Sequence, residues 1–279
     1  MSWSGFYINL DRSTDRDARM RAQLEALSLA GNYVRFPAVD GAEQTGFSSK
    51  RSAGEIGCFL SHLRLLRQNL GGDHLHVLED DAILSGRTAS VIERIIANGV
   101  LDEYDIIMMD AHVGGNLATV IHFKKIVAAS LQGESRQGDG SLNIKIIDIS
   151  NQDFATTSSY LVNRQSVEKI CGLLASEVAA GMRAPVDLLL RWLANNGHLR
   201  VGLTMPLVTT VPLHNITPST IHTPDEDIMR LSSTLVRRAL YVECDAEASL
   251  REAAQYANPR TDGRDELIFA AIRLRLQPD

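Results

Sequence analysis

An α/β fold is the class this sequence predicts, and three observations carry the expectation. The chain opens as strand, helix, strand. A mostly apolar run, Leu75 to Leu78, stops at Glu79-Asp80-Asp81, as a buried strand does when it emerges at the edge of a sheet. A later run, Tyr104 to Met109, leaves into Asp110 in the same way.

Each element follows from its local pattern. Phe6 to Leu10 is a compact β-prone run. Ser13 or Thr14 suits an N-cap, Met20, Leu24 and Leu27 recur at helical spacing to about Leu29, and Gly31 ends that helix. Tyr33 to Val39 reads as the second strand and closes at Asp40-Gly41. Residues 41 to 53 are a polar, Gly/Ser-rich loop. A helix then carries Phe59, Leu60, Leu63, Leu65 and Leu66 and ends near Gly71-Gly72. After the acidic strand end, a helix is expected over about Thr88 to Ala97. Ala111 to Thr119, with His112, Gly114 and Gly115, reads as a loop over the same edge, and Gln132 to Ser141 as another loop. Ile144–Ile149 and Thr156–Val162 read as strands, and about Gln165 to Leu174 as a helix. Pro185 and Asp187 suit the first turn of a helix carrying Leu188, Leu189, Leu190, Trp192 and Leu193. Leu199–Leu203 and Leu207–Val211 are short strands. Residues 212 to 227 form a Pro-rich loop with His214 and His222, able to close over a ligand. From Met229 on the composition is mostly helical, broken near Asn258-Pro259 and Asp262-Gly263. The expected organisation is a domain over 1–225 and a helical extension over 226–279.

Composition narrows the function classes. The 279 residues are 44% hydrophobic and 22% charged, with mean hydropathy -0.06, as for a globular protein with a real core. A formal net charge of -6 argues against a nucleic-acid partner. Cys58, Cys171 and Cys244 make neither a zinc spacing nor a disulfide framework, so a reducing, cytoplasmic compartment is expected. The start shows no charged n-region with an apolar run, so no signal peptide is expected, and any membrane association would be peripheral.

The acidic strand end invites chemistry. Ligands of open α/β sheets gather at the carboxyl ends of strands. In an extended chain Glu79 and Asp81 share one side, where they would repel unless a cation neutralised them. A hard divalent ion that also takes a phosphate fits such a seat. A solvated strand end leading into an acidic helix start fits the sequence equally well.

Several segments in order, Phe6 to Arg12 with Arg16, Phe36 to Gly41, Gly54 to His62, Leu78 to Ala82, then Tyr104 to Ile107 and Pro185 to Leu188, resemble glycosyltransferase family 25, the lipooligosaccharide and collagen galactosyltransferase-like group. The resemblance spans roughly residues 5 to 220. It implies a GT-A type, Rossmann-like nucleotide-sugar fold and a divalent metal, Mn²⁺ or Mg²⁺. It also implies a UDP-sugar donor with galactose as the family default, inversion at the anomeric carbon, and a glycan or lipid-linked oligosaccharide acceptor, as in lipopolysaccharide or surface polysaccharide synthesis at the inner face of a membrane.

Roles are then expected residue by residue. Asp81 and Glu79 are the metal ligands, with Asp80 turned toward ribose or a sugar hydroxyl. Arg12 and Arg16 offer guanidinium forks to phosphate or a uracil edge. Asn9 and Asp40 close the first two strands near the nucleotide. Gly54 and Glu55 open a helix whose free N–H groups suit phosphate, with Ser61 and His62 a turn further on. His62 fits a structural helix histidine better than a catalyst. Asp187 is the expected base, with Asp110 and then Asp153 behind it. A metal-dependent phosphohydrolase or nucleotidyltransferase, or an inactive nucleotide-sugar-binding module, are the alternatives.

Overall fold

The structure, a computed structural model, describes residues 2–44, 50–113, 117–137, 143–213, 224–245, 247–249 and 251–252. The expectations for Gly114, Gly115, His214, His222 and the segment beyond 252 lie outside the described residues.

The chain runs β1 (Trp3–Asn9), α1 (Thr14–Ala26), β2 (Tyr33–Pro37), α2 (Ala53–Gln68), β3 (His74–Glu79), β4 (Ile83–Leu84) and α3 (Thr88–Ala97). It continues through β5 (Ile106–Met108), β6 (His112–Val113), α4 (Leu117–Gln137), β7 (Lys145–Asp148), β8 (Phe154–Ala155) and β9 (Ser159–Val162). Last come α5 (Val167–Ala179), α6 (Val186–Asn195), β10 (Val201–Met205), β11 (Thr209–Thr210) and α7 (Pro224–Leu240). The α/β class is as expected, and α3 has the expected bounds. The region read as a loop from 132 to 141 differs: α4 runs through Gly133 to Gln137, with Phe123 and Val127 of its first half buried. The expected boundary between 225 and 226 falls inside the first turn of α7.

Seven strands form the central sheet in the order β2-β1-β3-β9-β5-β10-β7. β1 lies parallel to both β2 and β3, and β5 lies parallel to β10, while β9 runs antiparallel between β3 and β5 and β7 antiparallel on the edge. The chain leaves β1 toward β2 on one side and returns to β3 on the other. A crevice therefore opens beyond the carboxyl ends of β1 and β3, where such sheets take ligands.

β3 explains why that crevice is rigid. Leu75 and Val77 pack with Phe59, Leu63 and Leu66 of α2, while Leu78 points the other way into Tyr7, Met20 and Leu24. The strand is buried on both faces, which a near-continuous apolar run requires. His76, inside this run, is tied to Tyr33 Oη at 2.7 Å and Ser159 Oγ at 3.0 Å, and burial drives its pKa down to about 3. It is a neutral core group.

Candidate active site

The acidic triplet is not extended as expected: β3 ends at Glu79, and a turn closed by the Ala82 N–H on the Glu79 carbonyl at 3.1 Å carries Asp80 and Asp81, which meet different neighbours. Asp80 turns toward β1. Its Oδ2 accepts from Asn9 Nδ2 at 2.8 Å and its Oδ1 from Arg16 Nη1 at 2.9 Å. Asn9 is itself fully used: Nδ2 also donates to the Ser13 carbonyl, and Oδ1 accepts from Arg35 Nε at 2.8 Å. Arg12 pairs with Asp40, whose other oxygen caps the Ala42 N–H at 3.1 Å. Arg35, not singled out by the sequence, reaches Asp11 as well. These groups lace the ends of β1, β2 and β3 together.

Glu79 and Asp81 face the opposite way, into a cavity of about 440 Å³ that Asp187 and Arg237 also line. Glu79 Oε1 accepts from Thr157 Oγ1 at 2.7 Å and lies 3.5 Å from His62 Nε2. Burial pushes the Glu79 pKa up, but His62, Thr157 and the more distant charge of Arg237 outweigh it and hold the carboxyl below its ordinary value. Asp81 goes the other way. Burial first, then the charge of Glu79, raise its pKa to about 6. Two acids on one cavity wall with opposed shifts mark a place where negative charge is held under repulsion.

The adjoining wall comes from the loop before β9, which bonds Glu79 through Thr157 and Ser158, and from α6. Asp187 Oδ2 accepts the Thr156 N–H at 3.0 Å and Oδ1 the Leu188 N–H at 2.9 Å. Thr156 has φ +85°, an unusual backbone state for a β-branched residue. It aims the N–H that orients Asp187.

Asp110 is brought to the same edge but differently. It is fully buried, and its carboxylate is gripped by Arg237 through Nε at 2.9 Å and through Nη2, with Ser158 Oγ donating at 2.7 Å. That geometry commits Asp110 to the ion pair and leaves Asp187 as the acid facing the open cleft. Asp153 is more exposed, 3.7 Å from Arg191.

The Gly54–His62 block also takes a form the sequence reading did not anticipate. Ser52 and Glu55 make a reciprocal capping box, so Glu55 closes the start of α2 instead of facing a ligand. A side chain on Gly57 would meet the Val39 carbonyl at 2.6 Å and Gly41 N at 2.9 Å, and Gly54 faces open space. The glycine that matters here is Gly57, for helix-to-turn packing. Ser61 accepts the Val39 N–H at 2.8 Å and donates to the Gly57 carbonyl at 2.6 Å, stapling α2 to the end of β2. His62 and Cys58 are the residues of this block that reach the acids. Cys58 sits beside His62, its thiol pKa pushed well up by burial and by Glu79 and Asp187.

Two cleft residues were missed as site residues by sequence reasoning. Arg237 reads as half of a small basic pair with Arg238, yet Leu231, Thr234 and Leu240 around it are buried, so it lies on the inward stripe of α7. A charge on an apolar helix face was the available signal. His112 also lines the cleft, its Nδ1 2.6 Å from Ser233 Oγ, and burial, then Arg237, lower its pKa.

Comparison with known proteins now bears on this arrangement. A solved structure of the galactosyltransferase LgtC, in complex with donor and acceptor sugar analogs, aligns over 94% of this chain and 99% of that one, at 12% identity and a TM-score of 0.36. No curated protein matches the chain. The model of glycosyltransferase family 25, described as LPS biosynthesis protein, matches residues 4–190, which span β1, the acidic strand end and Asp187. The chain belongs to glycosyltransferase family 25 and is a glycosyltransferase.

Proposed function

We propose that the chain transfers a sugar, with galactose as the first donor to test, from a UDP-sugar to a glycan hydroxyl, inverting the anomeric centre. The observation that carries this reading is the shared cavity. Glu79, Asp81 and Asp187 line it together, at the strand ends where an α/β sheet takes its ligands.

The residues fit a divalent ion. Asp81 is held near pKa 6 by burial and by Glu79, and a cation would relieve that repulsion. Asp81 and Glu79 would hold Mn²⁺ or Mg²⁺, which supplies Lewis-acid neutralisation of a diphosphate leaving group. Arg237 adds a fixed positive charge to the same wall and favours the same leaving group. Asp187, oriented by two N–H groups, is the base that takes the acceptor hydroxyl proton, a service typically worth about 10²–10⁴ in rate.

The reading extends to a cytoplasmic enzyme working at the inner face of a membrane on a glycan or lipid-linked oligosaccharide. Three free cysteines support a reducing compartment. Among the described residues no helix is long and apolar enough to cross a membrane.

The test is product analysis. The chain is incubated with a panel of UDP-sugars, Mn²⁺ and candidate acceptors, and the new linkage is read by NMR. A β-linked product from an α-configured UDP-galactose supports the whole reading. An α-linked product overturns inversion and the role of Asp187 as acceptor base. Transfer only from other nucleotide classes overturns the donor.

A further inference from the structure

We propose that Cys58, His62 and Glu79 form a second metal site, selective for a borderline divalent ion such as Zn²⁺, beside the hard-ion seat on Asp81 and sharing Glu79 with it. Cys58 and His62 stand four residues apart on α2, so both side chains leave one face of the helix. Cys58 Sγ, a His62 ring nitrogen and a Glu79 oxygen lie within 4.8 Å of one another. Around a tetrahedral zinc such atoms sit about 3.5 Å apart, so side-chain rotations of roughly an ångström close the set.

His62 supplies the independent observation. Its ring is about 99% buried, 1% of it remaining exposed, and Nε2 makes no hydrogen bond. At 3.5 Å from Glu79 Oε1 it is too far for a good one, yet it points at that carboxylate. The other ring nitrogen, Nδ1, is held by Tyr160 Oη at 2.7 Å. When Nδ1 carries the proton, the Nε2 lone pair faces Glu79 and a cation between them satisfies both; in the other tautomer Tyr160 donates to Nδ1 and Nε2–H faces Glu79. Protein zinc sites use this device: the second nitrogen of a ligating histidine is anchored by an outer partner that sets tautomer and orientation. Thr157, on Glu79 Oε1, orients the carboxylate in the same way. Thiolate and imidazole favour zinc over Mn²⁺ or Mg²⁺, whereas a carboxylate pair favours the hard ions. Binding converts the Cys58 thiol to a zinc-bound thiolate and releases one proton to solvent. Because Glu79 cannot serve both sites fully, zinc here would inhibit transfer.

The experiment uses the full chain. X-ray absorption at the zinc edge, with one equivalent of Zn²⁺, is expected to find one sulfur at about 2.3 Å with nitrogen and oxygen neighbours; a shell of nitrogen and oxygen alone overturns the proposal without any variant being needed. Co²⁺ then probes the ligands. A thiolate-to-cobalt charge-transfer band is expected in the wild type and in Asp81→Asn, and is expected to vanish in Cys58→Ser. A band that persists in Cys58→Ser assigns the sulfur to Cys171 or Cys244 and overturns it. Tyr160→Phe should weaken zinc binding roughly 10–100-fold. None of these readouts needs a sugar donor, so the site stands or falls apart from the transferase reading.

Discussion

The two sides of the Glu79-Asp80-Asp81 strand end differ in how charge is balanced. On the β1 side acids meet arginines: Arg12 with Asp40, Arg16 with Asp80, Arg35 with Asp11, and Arg21 with Asp17 at 3.0 Å. On the cleft side Glu79 and Asp81 feel Arg237, which is already bound to the buried Asp110, and Asp187 lines the same cavity. A balanced cluster closes on itself and holds strands together. An unbalanced one, lining a cavity, keeps a need for positive charge, and that need is what a metal–diphosphate donor would meet. One residue of chain separates the two behaviours, because the turn from Glu79 to Ala82 sends Asp80 toward β1 while Glu79 and Asp81 line the cleft.

The sharpest way to break the contrast is to remove the acid facing the open cleft. Asp187→Asn is expected to keep the fold and to lower kcat about 10²–10⁴-fold in a transfer assay. Turnover near wild type would move the base elsewhere. Next in size is Arg237→Met, which strands the buried Asp110 carboxylate. A loss of about 3–5 kcal/mol is expected in urea unfolding, partly recovered when Asp110→Asn is added.

A smaller effect has a distinctive pH dependence. Folded Asp81 keeps its proton up to about pH 6, while the unfolded chain releases it near 3.8. Raised folded pKa therefore means stability that is lost as pH rises through that window, with the deficit complete above it. Asp81→Asn should accordingly raise stability by ~1–2 kcal/mol at pH 7, in metal-free buffer, and flatten the profile between pH 4 and 6. A destabilised variant would contradict the cleft-side repulsion. Smallest of all is Arg12→Ala. Its side chain is 63% exposed, so removing the pair with Asp40 should cost at most about 1 kcal/mol, and less in high salt.

Much of this was legible in the sequence where local patterns decide. β1, α1 and β2 follow from β-prone runs and a helical period, although Ser13 makes no side-chain capping bond and α1 ends at Ala26, short of Leu29 and Gly31; the turn that carries Asp80 and Asp81 was not foreseen. Ser52-Ala53-Gly54-Glu55 was legible as a capping box, but Glu55 next to glycines also resembles a ligand-facing turn, and only the reciprocal hydrogen bonds decide. Ser61 was unreadable because its partner, the Val39 N–H, depends on how α2 docks. The pairing of Asp110 with Arg237 joins residues 127 apart in the chain, so no local window contains both. α4 escaped because Gly114 and Gly115 before it, and Gly133 with its polar neighbours near its end, read as loop.

The most direct measurement is thermal stabilisation by UDP with Mn²⁺, with UDP in EDTA, and with Mn²⁺ alone, in the wild type, Asp80→Asn and Asp81→Asn. Ligands that bind only the folded chain raise its apparent stability, and joint binding raises it by more than the separate contributions. The account predicts UDP–Mn²⁺ synergy in the wild type and in Asp80→Asn, and its loss in Asp81→Asn. Synergy that survives in Asp81→Asn and disappears in Asp80→Asn would contradict it, and would move the donor to the arginine-balanced side.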